Sequence, residues 1–266
     1  MIKIEKILHC AREAGQKAGA IHKKYATGKR AFSTKSGSYD ILTQTDLEAE
    51  KVIVDYILSE FPGHNILAEE NKYVQSDSPY LWIIDPLDGT SNYAHGLPHY
   101  SVSIACAYEK QIIAGVVFDS AKNEEFYASM GQGAFLNGHK ISVSENSTLK
   151  TSLLITGFFY SRGQEMLDTL ENIRLFMEAP IHGIRRLGSA ALDLAYVAAG
   201  RAEGYWEYRL NPWDFSAGKI ILEESGGKIT NQQGKGINIE ASYIVGSNNL
   251  IHKDMLGILN RGPLSM

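Results

Sequence analysis

Cysteine is scarce in this chain of 266 residues, which has two cysteines, Cys10 and Cys106, and no Cys-x-x-Cys pair. Two isolated thiols in a chain of this size favour a reduced, structural role and a cytoplasmic location. A disulfide between them is the less favoured alternative. No cluster of cysteine or histidine stands out, so a zinc site is not expected.

Long apolar runs are also missing, and no stretch reaches the roughly 18 residues that a membrane-spanning helix needs. The first segment, "MIKIEKILHCAREAGQKAGA", carries a charge every few residues, which argues against a signal peptide. Its apolar residues recur at helical spacing and predict an amphipathic helix to about Tyr25. No association with a membrane is expected.

A dense run of lysine and arginine is absent as well. The chain has 26 basic and 30 acidic residues and a net charge of −4, so no direct binding of nucleic acid is expected. The hydrophobic fraction of 44% and the charged fraction of 21% are ordinary for a globular enzyme or binding protein. The length allows one large domain or two smaller ones that share an interface.

The first part of the chain has the pattern of an α+β unit. "ATGKRAFSTKSGSYD" is predicted to be a loop, and a second helix follows in "TDLEAEKVIVDYILSEFPG", with a capping box at Thr45 and Glu48. "HNILAEE" and "YLWIIDP" are predicted strands. From Tyr100 to about Val143, short strand-like runs and the Asn137-Gly138 turn predict an antiparallel meander.

Strands and helices alternate in the rest of the chain, which predicts an α/β unit. Ser189 is expected to be the N-cap of the helix in "SAALDLAYVAAG", and "WDFSAGKIILEESGG" is expected to form another helix that ends at its glycine pair. We therefore divide the chain into residues 1–148, an α+β half with the antiparallel sheet, and residues 149–266, an α/β half.

Acidic residues gather where these elements begin or end. Asp85 and Asp88 in "WIIDPLDGTSNY" end one strand, Glu69 and Glu70 end another, and Asp214 begins a helix. Carboxylates that converge repel one another unless a cation lies between them, and Mg²⁺ prefers such oxygen ligands. "PLDG" alone is typical of a simple turn, but the other acids favour a metal site that binds two cations and acts on a phosphate.

Gly89 and Thr90 follow these acids directly. Glycine lets the backbone come close to a ligand, and a helix that begins here would direct its free N–H groups towards an anion such as phosphate. Thr90 could also hold the attacking water. Phosphatases with an aspartyl nucleophile carry two acids two residues apart, whereas Asp85 and Asp88 are three apart, which argues against that class.

Five segments in order resemble the inositol monophosphatase family of magnesium-dependent, lithium-sensitive phosphatases. They are "DILTQTD", "AEE" at 68–70, "WIIDPLDGTSNYAHGLP", "RRLGSAALDLAYVAAGRAEGYWE" and "PWDFSAGKIILEESGG". Leu42 and Ala68 replace the family's usual valine and glycine with little change of character. The resemblance covers nearly the whole chain and implies a layered αβαβα sandwich, of the type shared with fructose-1,6-bisphosphatase, in a homodimer.

The resemblance also implies roles for particular residues, with two to three Mg²⁺ ions in each site. One ion would bind Glu69, Asp85 and the Leu87 carbonyl. A second would bind Asp85, Asp88 and Asp214, and a third, more weakly bound ion would be coordinated by Glu69 and water. Gly89 and Thr90 would hold the phosphate. Asp46 would hydrogen-bond Thr90, and Glu70 with Thr90 would orient the attacking water. The substrate's hydroxyls would meet Asp88, Ser189, Ala190 and Glu207.

The substrate stays open among several phosphomonoesters. A carboxylate at Glu207 would accept hydrogen bonds from hydroxyls and repel a second phosphate, which favours inositol 1-phosphate. Fructose 1,6-bisphosphate or dual activity is the alternative, followed by 3′-phosphoadenosine 5′-phosphate and histidinol phosphate. A non-enzymatic alternative is binding of the transcription machinery through Arg185-Arg186, although an arginine that pairs within the fold or at a dimer interface explains this pair better.

Overall fold

The computed structural model of the protein describes residues 2–26, 32–34, 41–158 and 163–261, without the side chains of 32–34, 41 and 42. Helix α1 (Ile4–Ala26) confirms the first predicted helix and buries Ile7, Ala14 and Ala18. Within these ranges no helix combines the length and apolar character that crossing a membrane requires.

The segment predicted as a loop after α1 contains a strand. Strand β1 (Phe32–Thr34) pairs antiparallel with β2 (Ile41–Thr43), so the loop prediction was wrong there. Two or three residues between polar neighbours give too weak a pattern to predict a strand. Asp40 lies outside the described residues.

The N-cap of helix α2 (Gln44–Glu60) lies two residues earlier in the chain than predicted. Its N-cap is Thr43, whose hydroxyl accepts the N–H of Thr45, while the Asp46 carboxylate accepts the N–H of Thr43 at 2.8 Å. The predicted box at Thr45 and Glu48 was therefore wrong. Both pairs have the same spacing, and β2, which ends at Thr43, decides between them.

A seven-stranded sheet forms the first half of the molecule. Its strands are β3 (Asn65–Ala68), β4 (Tyr80–Asp88), β5 (Ser101–Tyr108), β6 (Gln111–Asp119), β7 (Glu124–Ser129), β8 (Gly133–Leu136) and β9 (His139–Ile141), in that order. Only the β3–β4 pair is parallel, so the predicted meander is confirmed. Asn137 and Gly138 both have positive φ, as the predicted tight turn requires.

A five-stranded mixed sheet forms the second half, in the order β11-β10-β12-β14-β13. Its strands are β10 (Leu153–Thr156), β11 (Gly183–Arg185), β12 (Gly204–Leu210), β13 (Lys228–Thr230) and β14 (Ser242–Ser247). Strand β10 is parallel to β11 and β12, whereas β14 is antiparallel to β12 and β13. The three-residue strands β11 and β13 were not predicted.

Five further helices complete the layers in the described residues: short α3 (Thr90–His95) follows β4, and α4 (Gln164–Glu178), α5 (Ala190–Ala198), α6 (Pro212–Glu224) and α7 (His252–Leu259) belong to the second half. Helices α1 and α2 cover one face of the large sheet, and α5 and α6 fill the space between the two sheets. Helices α4 and α7 cover the outer face of the small sheet. The order of layers is αβαβα, which confirms the predicted fold class. The division at residue 148 stays a prediction.

Candidate active site

A cavity of about 140 Å³ opens at the junction of the two halves. Its wall contains most of the predicted site residues: Glu69, Asp85, Leu87, Asp88, Gly89, Thr90, Ala190, Glu207 and Asp214. Asp46, Glu70 and Ser189 do not line it. The fold thus brings together the ends of β3, β4 and β12 with the starts of α3, α5 and α6.

An irregularity in β4 directs its two aspartates into this cavity. Asp85 pairs with Ser103 and Asp88 pairs with Ser101, so β4 has an extra residue between these two pairs. Such bulges bend a strand and change where its side chains point. Asp85 Oδ1 accepts the N–H of Leu87 at 2.9 Å, which closes the bend locally.

The acids in the cavity crowd one another. Burial raises the pKa of Asp85 well above its ordinary value, and the charges of Glu69, Asp88 and Asp214 raise it further. Burial and the charges of Glu69 and Asp88 likewise raise the pKa of Asp214. A site that must hold several negative charges away from water is costly without a counter-charge.

These acids offer only oxygen donors, which fits a hard divalent cation such as Mg²⁺ and does not fit zinc. In the described part of the chain, no three acidic, histidine or cysteine side chains already stand in a coordinating arrangement. Two of them already accept backbone hydrogen bonds: Asp214 accepts the N–H of Asn211 at 2.7 Å, and Asp85 accepts the N–H of Leu87 at 2.9 Å. The donor chemistry and the crowded charge fit the cation.

Asp88 is anchored to the second half of the molecule. Its Oδ2 accepts the Ser189 hydroxyl at 2.7 Å and the Ala191 N–H at 2.8 Å, both at the start of α5. Ser189 is the N-cap of α5, as predicted, yet its hydroxyl does not cap that helix. Burial raises the pKa of Asp88 to about 7 in spite of these two bonds. Ser189 therefore positions Asp88 from behind the cavity wall.

Thr90 connects the cavity to α2. Its Oγ1 lies 3.1 Å from Asp46 Oδ1 and 3.0 Å from the Leu87 carbonyl oxygen, and it can donate to either. Asp46 is fully buried, and burial raises its pKa. Glu70 does not line the cavity, and its N–H donates to Glu50 Oε2 at 2.9 Å.

Gly89 occupies a position that only glycine fits easily. Its φ is +95°, and a Cβ there would lie 3.1 Å from the carbonyl oxygens of Gly188 and His99. Helix α3 starts at the next residue, so the condition under which its first N–H groups could face an anion is met. The backbone of both halves meets at this point.

Glu207 reaches the cavity from β12. Tyr205 donates its hydroxyl to Glu207 Oε2 at 2.5 Å, and a Cβ at Gly157 would lie only 1.8 Å from that oxygen. Burial raises the pKa of Glu207 to about 7, although the Tyr205 bond and the charge of Arg186 oppose this. The hydrogen bond from Tyr205 therefore fixes the carboxyl, and the glycine at position 157 leaves the space that the carboxyl occupies.

Two arginines in the cavity wall were not among the predicted site residues. Arg186 lies with its guanidinium 5.7 Å from the ring of Phe158, and Arg209 forms an ion pair with Glu165 at 3.3 Å. Arg209 has a φ of +49°, in the irregular part of β12 between Glu207 and Leu210. Arg186 belongs to the "RRLGSAA" segment, but nothing in the sequence singles out Arg209.

The fold and this acidic cavity define a metal-dependent phosphatase architecture, and comparison with known proteins identifies the family. The profile of the inositol monophosphatase family matches residues 3–261. The chain is 43% identical over 226 residues to the fructose-1,6-bisphosphatase/inositol-1-monophosphatase of Thermotoga maritima, with 85% of each chain covered. It is 42% identical to the Nus factor SuhB of Pseudomonas aeruginosa, with 82% of each covered. The protein belongs to the inositol monophosphatase family.

Solved structures agree with this assignment. The extragenic suppressor protein SuhB of Bartonella henselae superposes with a TM-score of 0.91 at 35% identity, over 97% of this chain and 99% of that one. A more distant structure, an inositol monophosphatase/NADP phosphatase complexed with Mg²⁺ and phosphate, has a TM-score of 0.85 at 25% identity, over 98% and 97%. A divalent metal is therefore bound by a member of this fold family.

Proposed function

We propose that the protein is a Mg²⁺-dependent phosphomonoester hydrolase, and specifically an inositol-1-monophosphatase that converts myo-inositol phosphate and water to myo-inositol and phosphate. The observation that carries this is the cavity that combines crowded carboxylates with Glu207. Four acids from three separate elements, Glu69, Asp85, Asp88 and Asp214, share one small space. Acids crowded in this way either keep their protons or need a cation between them in order to ionise, and the Mg²⁺ and phosphate bound by a relative have the matching chemistry.

The metal ligands that we propose are those that the resemblance implies. Glu69, Asp85 and the Leu87 carbonyl would hold one ion, Asp85, Asp88 and Asp214 a second, and Glu69 a weaker third. Bound Mg²⁺ supplies a water of lowered pKa and neutralises charge on the leaving oxygen. The Leu87 carbonyl lies at the cavity, 3.0 Å from Thr90 Oγ1, which supports its place in this set.

The chain's own groups position the reactants. Thr90, which is hydrogen-bonded to Asp46, orients the attacking water. The backbone N–H groups of Gly89 and Thr90 donate hydrogen bonds to the phosphate oxygens. Glu70 shares in orienting the water under this proposal, although it is not part of the cavity wall. A Glu70→Gln variant that keeps full turnover would remove Glu70 from the mechanism and leave the rest intact.

The end of the cavity around Glu207 is suited to a polyol. Glu207 can accept hydrogen bonds from ring hydroxyls, and its position is fixed by Tyr205. Ala190 lines the same cavity, and Asp88 can meet a hydroxyl as well as a metal ion. Hydroxyl recognition by a fixed carboxylate discriminates strongly, because a missing partner leaves a buried group unpaired.

The test is a comparison of phosphate release with Mg²⁺ from inositol 1-phosphate, fructose 1,6-bisphosphate and 3′-phosphoadenosine 5′-phosphate. We expect kcat/KM for inositol 1-phosphate to exceed the others by about tenfold, roughly 1.4 kcal/mol in transition-state binding. Preference for either bisphosphate would overturn the substrate and keep the metal site. No release from any of the three would turn attention to histidinol phosphate or a binding role.

Dual activity on fructose 1,6-bisphosphate is the second candidate, and one observation favours it. Arg186 and Arg209 line the same cavity as Glu207 and could receive a second phosphate. These two cations would offset the repulsion of a second phosphate by Glu207. The name of the Thermotoga relative combines both activities.

Binding to the transcription machinery is a non-enzymatic candidate, supported by the name Nus factor SuhB in relatives. Arg185 is exposed beside the cavity and bonds only locally, to the Ile184 carbonyl at 3.1 Å among its described hydrogen bonds. A pull-down with RNA polymerase and elongation factors tests this. Recovery of neither by the wild type, under conditions where a SuhB relative recovers them, would remove the idea.

We further propose a homodimer in the cytoplasm, with the chain divided functionally near residue 148. Light scattering on the purified protein measures the dimer directly, and a mass of one chain would contradict it. Limited proteolysis near residue 148, followed by separation of the two fragments, tests the division.

A further inference from the structure

His22 is a buried histidine that the metal ligands and substrate groups described above do not include. It lies on α1, it does not line the cavity, and none of its surface is exposed. Its Nε2 lies 2.9 Å from the Pro86 carbonyl oxygen, and its Nδ1 lies 3.0 Å from Ser120 Oγ. A fully buried polar ring with both nitrogens bonded is a specific arrangement, because either bond alone would leave a costly unpaired atom.

We propose that His22 is a positioning residue for the metal site, and that its hydrogen bond to the Pro86 carbonyl holds the bulge of β4 in the shape that directs Asp85, Leu87 and Asp88 into the cavity. This inference rests on the proposed metal-dependent function.

Pro86 is the point at which the bulge most needs an outside partner. It lies between Asp85 and Leu87, where the ladder between β4 and β5 is interrupted, so its carbonyl has no paired strand residue opposite. Proline also has no N–H with which to join the ladder. The hydrogen bond from His22 gives the Pro86 carbonyl the partner that the interrupted ladder does not provide. It also connects α1 to the residue between Asp85 and Leu87, two of the proposed metal ligands.

The hydrogen bonds define the form of the ring. A carbonyl can only accept, so Nε2 carries the proton, and Nδ1 accepts from the Ser120 hydroxyl. Burial lowers the pKa of His22 to about 4, so the ring is neutral over the working range of pH. The ring is therefore a fixed donor and not a proton carrier.

Neighbouring groups hold His22 itself in place. The rings of Tyr93 and Tyr100 lie 5.9 and 5.8 Å from its ring. Tyr93 donates its hydroxyl to the backbone carbonyl of His22 at 2.8 Å, and Thr45 Oγ1 lies 3.4 Å from the same hydroxyl. The contact thus links α1, α2 and α3 to the bulge, as groups behind metal ligands commonly do.

The experiment compares two polar replacements in the full chain. His22→Gln places an amide near Nε2 and can still donate to Pro86, whereas the shorter His22→Asn reaches only the Nδ1 position beside Ser120. Mg²⁺ affinity is measured by calorimetry without substrate, and kcat with inositol 1-phosphate is measured separately. Ile7→Val, a core change on the same helix without contact to the bulge, is the control for stability and costs about 0.5–1.5 kcal/mol.

We expect His22→Asn to weaken Mg²⁺ binding and lower kcat by about 10–100-fold each, the usual effect of losing a partner behind a ligand. His22→Gln should stay within about threefold of the wild type, and Ile7→Val should bind Mg²⁺ normally. The inference is overturned if His22→Asn binds Mg²⁺ like the wild type, or if Ile7→Val weakens it equally. A wild type that does not bind Mg²⁺ at all would instead overturn the proposed function, and this inference with it.

Discussion

Replacing Asp88 by asparagine should have opposite effects on activity and on the stability of the metal-free protein. Two donors, Ser189 and Ala191, fix Oδ2 of Asp88, so an asparagine will place its oxygen there. Its NH₂ group will then face the cavity, where a donor cannot ligate a cation. We expect turnover to fall by a factor of about 10²–10⁴, since a ligand and a substrate contact are lost together.

The stability effect follows from the pKa of Asp88. Burial raises it from the ordinary 3.8 to about 7, so above pH 4 the unfolded chain releases a proton that the folded chain retains. Stability therefore falls as pH rises towards 7, and asparagine, which carries no charge, removes this loss. At 1.36 kcal/mol per pKa unit the full effect approaches about 4 kcal/mol, as an upper bound for a group at a cavity wall.

Urea unfolding in EDTA at pH 5 and pH 8 measures this directly. The advantage of Asp88→Asn over the wild type should grow by about 2–3 kcal/mol between the two pH values. Added Mg²⁺ should stabilise the wild type more than the variant, because the variant keeps the ligands of the first ion and loses one ligand of the second. Asp168→Asn, another nearly buried acid but outside the cavity wall, should keep normal turnover. An Asp88→Asn variant with near-normal turnover would refute the metal assignment, and equal pH profiles would refute the charge argument.

Three further predictions concern the substrate side of the cavity and its cations. Gly157→Ala should displace Glu207 and raise KM for inositol 1-phosphate about tenfold, because the new Cβ would lie 1.8 Å from the carboxyl oxygen; steady-state kinetics with an unchanged KM would contradict this. Arg209→Gly should raise KM for fructose 1,6-bisphosphate about tenfold with little change for inositol 1-phosphate, because a cation that could receive the second phosphate is lost. Because glycine tolerates the positive φ at this position, the variant should also unfold with a free energy about 1 kcal/mol higher than the wild type in a thermal melt. Lithium should inhibit phosphate release by replacing the second Mg²⁺ after catalysis; full activity at high lithium would place the protein in a less sensitive branch.

The acids of this cavity could be predicted because each follows a local pattern. Asp85 and Asp88 end a strongly apolar strand, and the glycine at position 89 indicates a sharp turn directly after them. Asp214 follows a proline and a tryptophan at a helix start. Such patterns depend on neighbours in sequence, which are visible without a structure. The layered fold followed from the resemblance and from the meander, whose turns are equally local.

The missed features depend on contacts between distant parts of the chain. His22 is one polar residue in an amphipathic helix, and its partners Pro86 and Ser120 lie 64 and 98 residues away. Arg209 enters the cavity only because β12 is irregular after Glu207. The helix cap moved from Thr45 to Thr43 because β2 ends there, and two equal capping patterns cannot be separated by spacing alone.

The most direct test of the metal-dependent phosphatase is the rate of phosphate release from inositol 1-phosphate as a function of free Mg²⁺, for the wild type and Asp85→Asn. We predict no release in EDTA, a saturable rise with Mg²⁺ for the wild type, and a rate lower by at least about two orders of magnitude for the variant at every concentration. Release that persists in EDTA, or an Asp85→Asn variant with the wild-type Mg²⁺ profile, would contradict the central claim.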